Sequence, residues 1–336
     1  MKTPWRVGGA GNRPSWRWQN LRLVLRFHHL VPKLMRNYAR VLASKRVLRG
    51  VEFAVTYNCN FHCPHCLKSD IIDPDRPELT RDEVLDAAGQ IERLGGIFIN
   101  YTGGEPILRQ DIFEIVERTA RMRGLIVTLA SNGFALDESK IKTLARSGLS
   151  ILVLSLDGAC ADTHDRFRNR EGSFDRVLRA VEAAGSHNLP VWFTGIATRE
   201  YLLSGEIERM ADLANRLGCI LTLNLPYDVG EWRGSDVALS MEAYRIYLDI
   251  LRLPHLRWEG SSNWISEGCP AGSEKIYITP YGDVFPCAVI QKSFGNLRER
   301  PLESIYADMG LNKQYQTSKK PCLVAEDRTL LNQSRK

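Results

Sequence analysis

Between residues 51 and 225, short apolar runs alternate with longer segments in which apolar residues recur every three or four positions. The apolar runs predict six strands, at Val51–Thr56, Ile97–Thr102, Leu125–Ser131, Ser150–Asp157, Pro190–Ala197 and Cys219–Leu225. The periodic segments predict helices at Thr80–Leu94, Asp111–Met122, Leu136–Ser147, Ser173–His187 and Leu203–Leu217. Thr80 and Glu83 form a capping-box pattern at the start of the first of these helices.

The repeated strand–helix unit predicts an α/β fold in which the strands are parallel and buried on both faces. Right-handed crossovers between successive parallel strands curl such a sheet toward a barrel. Six units make an incomplete barrel, so the predicted fold is a partial (β/α)6 TIM-like barrel that is open on one side. In barrels of this type the functional residues lie at the carboxyl ends of the strands.

Four segments with cysteine, glycine or polar residues directly follow predicted strands. They are Cys59–Cys66, Gly103–Pro106, Ser131–Gly133 and Asp157–Gly158. Because the carboxyl ends of parallel strands lie at one end of a barrel, we expect these segments to meet there.

The pattern changes after residue 225. Ser240–Leu253 and Leu302–Met309 have helical periodicity, and Lys275–Thr279 with Val284–Cys287 predict a hairpin that turns at Tyr281-Gly282. We therefore divide the chain into an amino-terminal extension, a barrel and a small hairpin-containing domain, at residues 1–49, 50–253 and 254–336.

The amino-terminal extension is basic and amphipathic. Residues 1–50 contain twelve Lys and Arg and no Asp or Glu, whereas the rest of the chain has 33 basic and 39 acidic residues. Apolar residues from Trp16 to Leu48 recur at helical spacing, which predicts one helix, or a pair broken near Pro32, after a loose arm at residues 1–15. Such a helix either caps the barrel with its charges in water or lies on an anionic membrane or an acidic partner.

The composition is that of a globular protein. The chain has 336 residues, of which 44% are hydrophobic and 25% charged, and this length accommodates one barrel and a small appendage. Neither a cleavable signal segment nor an apolar run near the ~20 residues of a membrane span is visible. We expect a cytoplasmic protein, with membrane association through residues 1–50 as an open alternative. Its eight cysteines are then expected as thiols, whose clusters bind metal.

Three cysteines lie within eight residues, in the run Cys-Asn-Phe-His-Cys-Pro-His-Cys from Cys59 through Cys63 to Cys66. Thiolates in this number and spacing suit one corner of a cubic iron–sulfur cluster and leave a fourth iron without a protein ligand. A zinc site that includes His62 and His65 is an alternative, although structural zinc sites usually show paired ligand arms.

These cysteines, followed by Gly103-Gly104-Glu105-Pro106 after the second strand, resemble the radical S-adenosylmethionine (radical SAM) superfamily over residues 50–225. The resemblance implies a [4Fe-4S] cluster whose open iron binds S-adenosylmethionine. It also implies reductive cleavage to a 5′-deoxyadenosyl radical, which takes a hydrogen atom from the substrate. The two glycines are expected to let the backbone approach the cofactor, and Glu105 to pair with its ammonium group.

The resemblance also assigns weaker cofactor positions at the other strand ends. These are Ser131, Asn132, Ser155 and Asp157, with Thr194–Ala197 behind the adenine and His65 near it. Turns or helix caps explain Asn132 and Asp157 nearly as well.

A second cysteine constellation, Cys269 and Cys287 with Gly282 between them and Cys322 beyond, resembles the SPASM or twitch auxiliary-cluster domain of radical SAM enzymes. The resemblance implies one auxiliary [4Fe-4S] cluster with these three cysteines as ligands. Substrate, water, Glu326 or Asp327 are the candidates for its fourth ligand. Three cysteines buried in a small core are the simpler alternative.

Two cysteines remain. Cys219 starts a strand and is expected in the core, whereas Cys160 follows a strand end, where it is a candidate catalytic donor of a hydrogen atom to a substrate radical.

Together these features predict a radical SAM enzyme that carries out a net oxidation, either dehydrogenation or bond formation, with the auxiliary cluster as electron acceptor. Alternatives are a radical epimerase, a maturase of ribosomal peptides, a lipid-modifying enzyme and a non-enzymatic iron–sulfur or zinc protein. The substrate is a small molecule, a peptide or a lipid. We expect an electron donor such as flavodoxin or ferredoxin, and no nucleic acid.

Overall fold

In the computed structural model, residues 25–258, 263–264, 268–315, 322 and 324 are described. The loose arm at residues 1–15, the start of the predicted amphipathic helix, and Glu326 and Asp327 lie outside the described residues.

Six parallel strands form the centre of the fold, in sequential order. They are β1 (Gly50–Thr56), β2 (Phe98–Gly103), β3 (Ile126–Ser131), β4 (Ile151–Ser155), β5 (Val191–Ile196) and β6 (Ile220–Asn224). Side chains on the outer face of these strands are buried in one large core beneath the helices, whereas alternate side chains along β2, β4, β5 and β6 are half-buried on the inner face. The predicted partial barrel is confirmed, and each strand lies within two residues of its predicted ends.

Helices connect the strands and flank the barrel. They are α1 (Val31–Leu42), α2 (Arg81–Arg93), α3 (Ile112–Arg121), α4 (Glu138–Arg146), α5 (Ala161–Arg168), α6 (Ser173–Ser186), α7 (Arg199–Leu203), α8 (Glu206–Arg216), α9 (Met241–Ile250) and α10 (Leu302–Leu311). The capping box at α2 is confirmed: the Thr80 backbone N–H donates to Glu83 Oε2 at 2.7 Å, and Thr80 Oγ1 accepts from the Glu83 backbone N–H. Helix α5 has no predicted counterpart. None of the helices in the described part of the chain is long and apolar enough to cross a membrane.

The sheet continues past the barrel on both edges. β7 (Leu256–Arg257) pairs in parallel with β6, β8 (Lys275–Ile278) pairs in parallel with β1, and β9 (Val284–Phe285) pairs antiparallel with β8. The predicted hairpin is confirmed, and Gly282 in its turn has φ +93°, which favours glycine. Because β7 and β8 join the barrel sheet, the sheet runs across the predicted boundary at residue 254, and the division into domains stays a prediction.

Helix α1 closes the amino-terminal end of the barrel with its polar face. Lys33 Nζ donates to the carbonyls of Gly96 (2.6 Å) and Gly124 (2.9 Å), and Asn37 Nδ2 donates to the carbonyl of Gly95 (2.7 Å). These carbonyls follow the carboxyl ends of α2 and α3, where helices leave acceptors unpaired and attract cations. Burial lowers the pKa of Lys33 to about 8. Helix α1 is therefore attached to the barrel through Lys33 and Asn37, while the occupant of its other face stays a prediction.

We predict that Asn37→Ala lowers the free energy of unfolding by about 1–3 kcal/mol, because Asn37 is fully buried and the Gly95 carbonyl would lose its donor. Urea denaturation measures the change. Arg36→Ala, on the exposed side of the same helix, is the control and should stay within about 0.5 kcal/mol of the parent protein. Equal effects of the two substitutions would contradict the docking of α1 through Asn37.

Candidate active site

A cavity of about 1020 Å³ is lined by the carboxyl ends of the barrel strands and by the carboxyl-terminal segment. Both predicted cysteine sets contribute to its wall, namely Cys59, Cys63 and Cys66 together with Cys269, Cys287 and Cys322. Predicted cofactor residues from three strand ends also line it, namely Gly103, Gly104, Ser131, Asn132, Ser155 and Asp157. The structure thus brings together side chains that are far apart in the sequence.

The segment that follows β6 forms hydrogen bonds with the first cysteine loop and with the residues just after it. The Cys66 carbonyl accepts from the Glu231 backbone N–H (3.0 Å), and Asp70 accepts from the Gly230 backbone N–H and from Arg233 Nε (3.0 Å). Gly230 has φ +61°, and a Cβ there would lie 2.0 Å from the Cys66 carbonyl oxygen. Only glycine therefore allows this close backbone contact.

The thiols of this loop are partly shielded from water. Burial raises the pKa of the Cys63 and Cys66 thiols, although Arg168 opposes the shift at Cys63 and Lys68 opposes it at Cys66. Such thiols stay protonated at neutral pH until a bound cation compensates the thiolate charge, and metal binding then releases protons.

The donor set fits a cluster better than a single ion. Three soft sulfurs face one cavity and suit iron–sulfur chemistry. Within the described ranges, no three or more Cys, His, Asp or Glu side chains are arranged to hold one metal ion. The zinc alternative therefore receives no support from the arrangement of these ligands.

The glycines of the Gly-Gly-Glu-Pro run contact the end of β1 closely. Gly103 has φ +136°, and a Cβ on Gly103 or Gly104 would lie 2.1 Å from the carbonyl oxygen of Thr56 or Asn58, respectively. The Gly104 and Glu105 backbone N–H groups donate to these same two carbonyls, at 2.7 and 2.8 Å. The glycines therefore allow the loop after β2 to contact the end of β1 closely, and both glycines also line the cavity.

Glu105 is placed differently from the expectation that it faces the cofactor. Its side chain is fully buried, is not among the cavity-lining residues, and accepts from the Asn132 backbone N–H (Oε2, 2.8 Å) and the Ile107 backbone N–H (Oε1, 3.2 Å). Burial raises the pKa of the Glu105 carboxyl group, although these hydrogen bonds oppose the rise. The carboxyl group thus links the loop after β2 to the loop after β3, and Pro106, also buried, lies in the same turn.

Ser131 and Asn132 line the cavity, yet their side chains also stabilise their own turn. Ser131 Oγ accepts from the Gly133 backbone N–H (3.0 Å), and Asn132 Oδ1 accepts from the Phe134 backbone N–H (3.0 Å). Asn132 Nδ2 donates to Asn60 Oδ1 in the first cysteine loop (2.8 Å). The turn interpretation of Asn132 is therefore borne out, and the same side chain joins two strand ends.

Asp157 lies at the centre of a buried ionic network. Its Oδ2 accepts from Arg168 Nε (2.7 Å) and Nη2 (2.6 Å), and its Oδ1 accepts from the Ile196 backbone N–H on β5 (2.9 Å). Burial opposes the charged form, but the Arg168 guanidinium favours it, so the pKa of Asp157 lies below its usual value. Arg168 Nη1 also lies 3.9 Å from Cys63 Sγ, which brings a buried cation to the cysteine loop.

The second cysteine set has hydrogen-bond donors at two of its sulfurs. The Ile290 backbone N–H donates to Cys287 Sγ (3.3 Å), and the Tyr227 hydroxyl lies 3.3 Å from Cys322 Sγ. Gln291 Nε2 donates to the Leu67 carbonyl just after Cys66 (2.9 Å), so this segment also contacts the first cysteine loop.

Two cysteines lie away from the cavity. Cys219 is 2% exposed within the core, as predicted. Cys160 is exposed at the start of α5, with Sγ 3.4 Å from Thr163 Oγ1, and is not among the cavity-lining residues. This position gives no support to hydrogen-atom donation by Cys160.

His65 lines the cavity, and its ring packs 4.5 Å from that of Phe167 and 5.7 Å from that of Trp232, measured between centroids. Burial lowers the pKa of His65 to about 4, so the ring is neutral at physiological pH. His62 is exposed.

Several residues of the site are missing from the sequence-based prediction. Arg168 lies on α5, whose sequence is so polar that no apolar periodicity marks it as a helix. His164 and Arg168 are four residues apart, a spacing that places both side chains on one face of a helix and could have indicated α5. Tyr227 and Trp232 follow β6, outside any motif, and line the cavity from there.

A parallel α/β barrel that presents cysteine thiols at the carboxyl ends of its strands defines a class of iron–sulfur enzymes. Comparison with family models finds the radical SAM superfamily over residues 53–217 and the SPASM iron–sulfur cluster-binding domain over residues 269–326. The chain belongs to the radical SAM superfamily. The first match implies a [4Fe-4S] cluster and S-adenosylmethionine, and the second implies an auxiliary iron–sulfur group.

Known proteins with similar sequences include enzymes with different reactions. The AdoMet-dependent heme synthase of Methanosarcina barkeri is 28% identical over 297 residues, which are 79% of this chain and 84% of that protein. The mycofactocin maturase MftC of Mycobacterium tuberculosis is 30% identical over 278 residues, which are 76% and 68% of the two chains. Among solved structures, Streptococcus suis SuiB bound to its precursor peptide SuiA has a similar fold, with a TM-score of 0.64, 17% identity and coverage of 81% and 68%.

We predict that Arg168→Met lowers the free energy of unfolding by about 3–5 kcal/mol, because it leaves the carboxylate of Asp157 buried without a counterion. Urea denaturation measures the loss. The double variant Arg168→Met/Asp157→Asn removes the uncompensated charge and should recover much of it. A double variant no more stable than Arg168→Met would contradict the ionic role of the pair.

Proposed function

We propose that this enzyme oxidises its substrate within the central cavity, by radical chemistry that starts at Cys59, Cys63 and Cys66. The observation that supports this most is that both cysteine sets line the same cavity. When bound by the first set, a reduced cluster and S-adenosylmethionine supply a 5′-deoxyadenosyl radical that takes a hydrogen atom from the substrate.

The residues around the first set would hold and orient S-adenosylmethionine. Gly103, Gly104, Ser131, Asn132 and Ser155 line the wall beside the cysteines. Arg168, held by Asp157 and directed at Cys63, would attract the carboxylate of the cofactor and keep it next to the thiolates. Glu105 would act as a brace between strand ends and not as the ammonium partner.

The second cysteine set, Cys269, Cys287 and Cys322, would hold the auxiliary cluster. A net two-electron oxidation removes a hydrogen atom, a proton and a further electron from the substrate, so it requires an electron acceptor nearby. Hydrogen bonds to ligand sulfurs raise the reduction potential of iron–sulfur groups, and the Ile290 and Tyr227 donors would therefore favour electron acceptance there. A low-potential protein such as flavodoxin or ferredoxin remains the expected donor to the first set.

A peptide is the substrate class that we favour. One similar protein is named a mycofactocin maturase, and the structurally similar SuiB was solved with a precursor peptide. The similarity to a heme synthase over 84% of its length makes a tetrapyrrole the second candidate.

Radical epimerisation is less well supported than oxidation. An epimerase needs a hydrogen-atom donor beside the substrate, and the predicted donor, Cys160, is exposed outside the cavity lining. A lipid substrate has no support from the cavity, whose wall mixes apolar residues with Glu52, Asn100 and Lys275.

We expect the protein, reconstituted anaerobically with iron and sulfide and then reduced, to release 5′-deoxyadenosine from S-adenosylmethionine. Alanine at Cys59, Cys63 and Cys66 together should abolish release and leave about four of roughly eight irons per chain. Alanine at the second set should also halve the iron content but retain release. Cys160→Ala is the control and should change neither quantity.

The same assay distinguishes the substrate classes through deuterium transfer. Deuterated candidate peptides should transfer the label into 5′-deoxyadenosine, and the same peptides without label should become two mass units lighter on oxidation. Transfer from a deuterated tetrapyrrole alone would replace the peptide assignment. A wild-type protein with full iron that releases no 5′-deoxyadenosine would overturn the proposed function.

Tyr227→Phe is expected to lower the midpoint potential of the auxiliary cluster, because the Cys322 thiolate loses a hydrogen-bond donor. Electron paramagnetic resonance during a redox titration measures this shift separately from the first cluster. Tyr306→Phe is the matched control, since it removes a buried tyrosine hydroxyl that bonds the Ser273 carbonyl and no cysteine. Equal potentials in Tyr227→Phe and the wild type would rule out this effect.

A further inference from the structure

Helix α1 is amphipathic, but its polar face packs against the barrel and its apolar face is exposed, which reverses the arrangement of an ordinary surface helix. Such helices usually pack an apolar stripe on the core and turn polar residues to water. In α1 the polar residues Lys33 and Asn37 face the barrel and bond its carbonyls. The apolar side chains are on another face and therefore need a different explanation.

The outward apolar residues form a continuous stripe. Val31, Met35, Tyr38 and Leu42 are spaced by four, three and four residues, so they lie along one side of the helix. Their exposed fractions are 47%, 68%, 46% and 62%. Leu34, beside the stripe, is 37% exposed. Contiguous exposed apolar side chains of this kind mark interaction surfaces, in contrast to isolated ones.

We propose that this stripe lies on an anionic membrane surface, with α1 parallel to the bilayer plane. The charge of the segment favours that occupant: residues 1–50 contain twelve Lys and Arg and no acidic residue, while the rest of the chain is net acidic. Arg36 and Lys45 are exposed near the stripe. An apolar stripe flanked by basic residues is the pattern of helices that bind at the interface of anionic bilayers, and Tyr38 suits the headgroup region.

A second copy of the chain fits this surface less well. A symmetric dimer through α1 would bring the same stripe of both copies together, and with it Arg36 and Lys45 of each copy. Like charges at such an interface repel each other, and no acidic residue between positions 1 and 50 compensates them. The bilayer supplies the missing negative charge.

The location of α1 leaves the active site accessible. α1 contacts carbonyls that precede the barrel strands, whereas the cavity is lined by the opposite, carboxyl ends of those strands. A protein lying on a membrane through α1 therefore keeps its cavity away from the bilayer. This inference is independent of the reaction proposed above.

Sedimentation of the full-length protein with vesicles tests the proposal. We expect binding to phosphatidylcholine vesicles that contain phosphatidylglycerol, weaker binding at high salt, and little binding to phosphatidylcholine alone. Met35→Glu should reduce binding roughly tenfold or more, because it places a carboxylate in the apolar stripe. Met35 is 68% exposed, so the substitution should leave folding and iron content unchanged.

Met241→Glu is the matched control. It makes the same change of charge at a methionine that is 70% exposed on α9, outside the basic segment, and it should bind vesicles like the wild type. Equal reduction in both variants would show a net-charge effect and overturn the role of the stripe. Absence of binding to anionic vesicles would also overturn it. So would a concentration-dependent dimer, seen by analytical ultracentrifugation, that Met35→Glu abolishes.

Discussion

Two fully buried carboxyl groups determine how the strand ends of this barrel are arranged. Glu105 joins the loops after β2 and β3, and Asp157 joins β4 to β5 and to Arg168 on α5. Buried carboxyl groups are tolerated only when hydrogen bonds and counterions compensate the loss of water. Each carboxyl group therefore fixes the positions of its donors, and these donors belong to the segments that form the cavity wall. The geometry available to a cofactor depends on these two polar contacts.

The sequence was sufficient for the barrel strands, because buried parallel strands are apolar runs bounded by turn residues. It was insufficient for α5, which is mostly polar and is held by tertiary contacts of residues such as Arg168. The cysteine spacing indicated the first thiol set, whereas the hydrogen-bond partners of Glu105 could not be predicted from its motif. A motif identifies a residue type at a position. The burial of that residue and its hydrogen-bond partners depend on how neighbouring loops pack, and a short local sequence does not determine this packing.

Pairing across the sheet explains how distant cysteines come to share a cavity. β8 pairs with β1 in register from Gly50 with Lys275 to Phe53 with Ile278, so Cys269 and Cys287 flank a strand next to the one that precedes Cys59. A hairpin was predicted there, but its parallel partner was not, because strand pairing between distant segments leaves no local signal. The positions of Cys269 and Cys287 relative to the first thiol set are thus set by backbone hydrogen bonds between β8 and β1.

The docking of α1 has a consequence for synthesis of the chain on the ribosome. Lys33 contacts carbonyls that lie 63 and 91 residues later in the chain. At about 5–20 residues per second, Lys33 is made roughly 3–18 seconds before these two acceptors. During that interval both its cationic face and its apolar stripe are available to ribosome-associated factors. Helix α1 therefore docks on the barrel only after the chain has grown past Gly124.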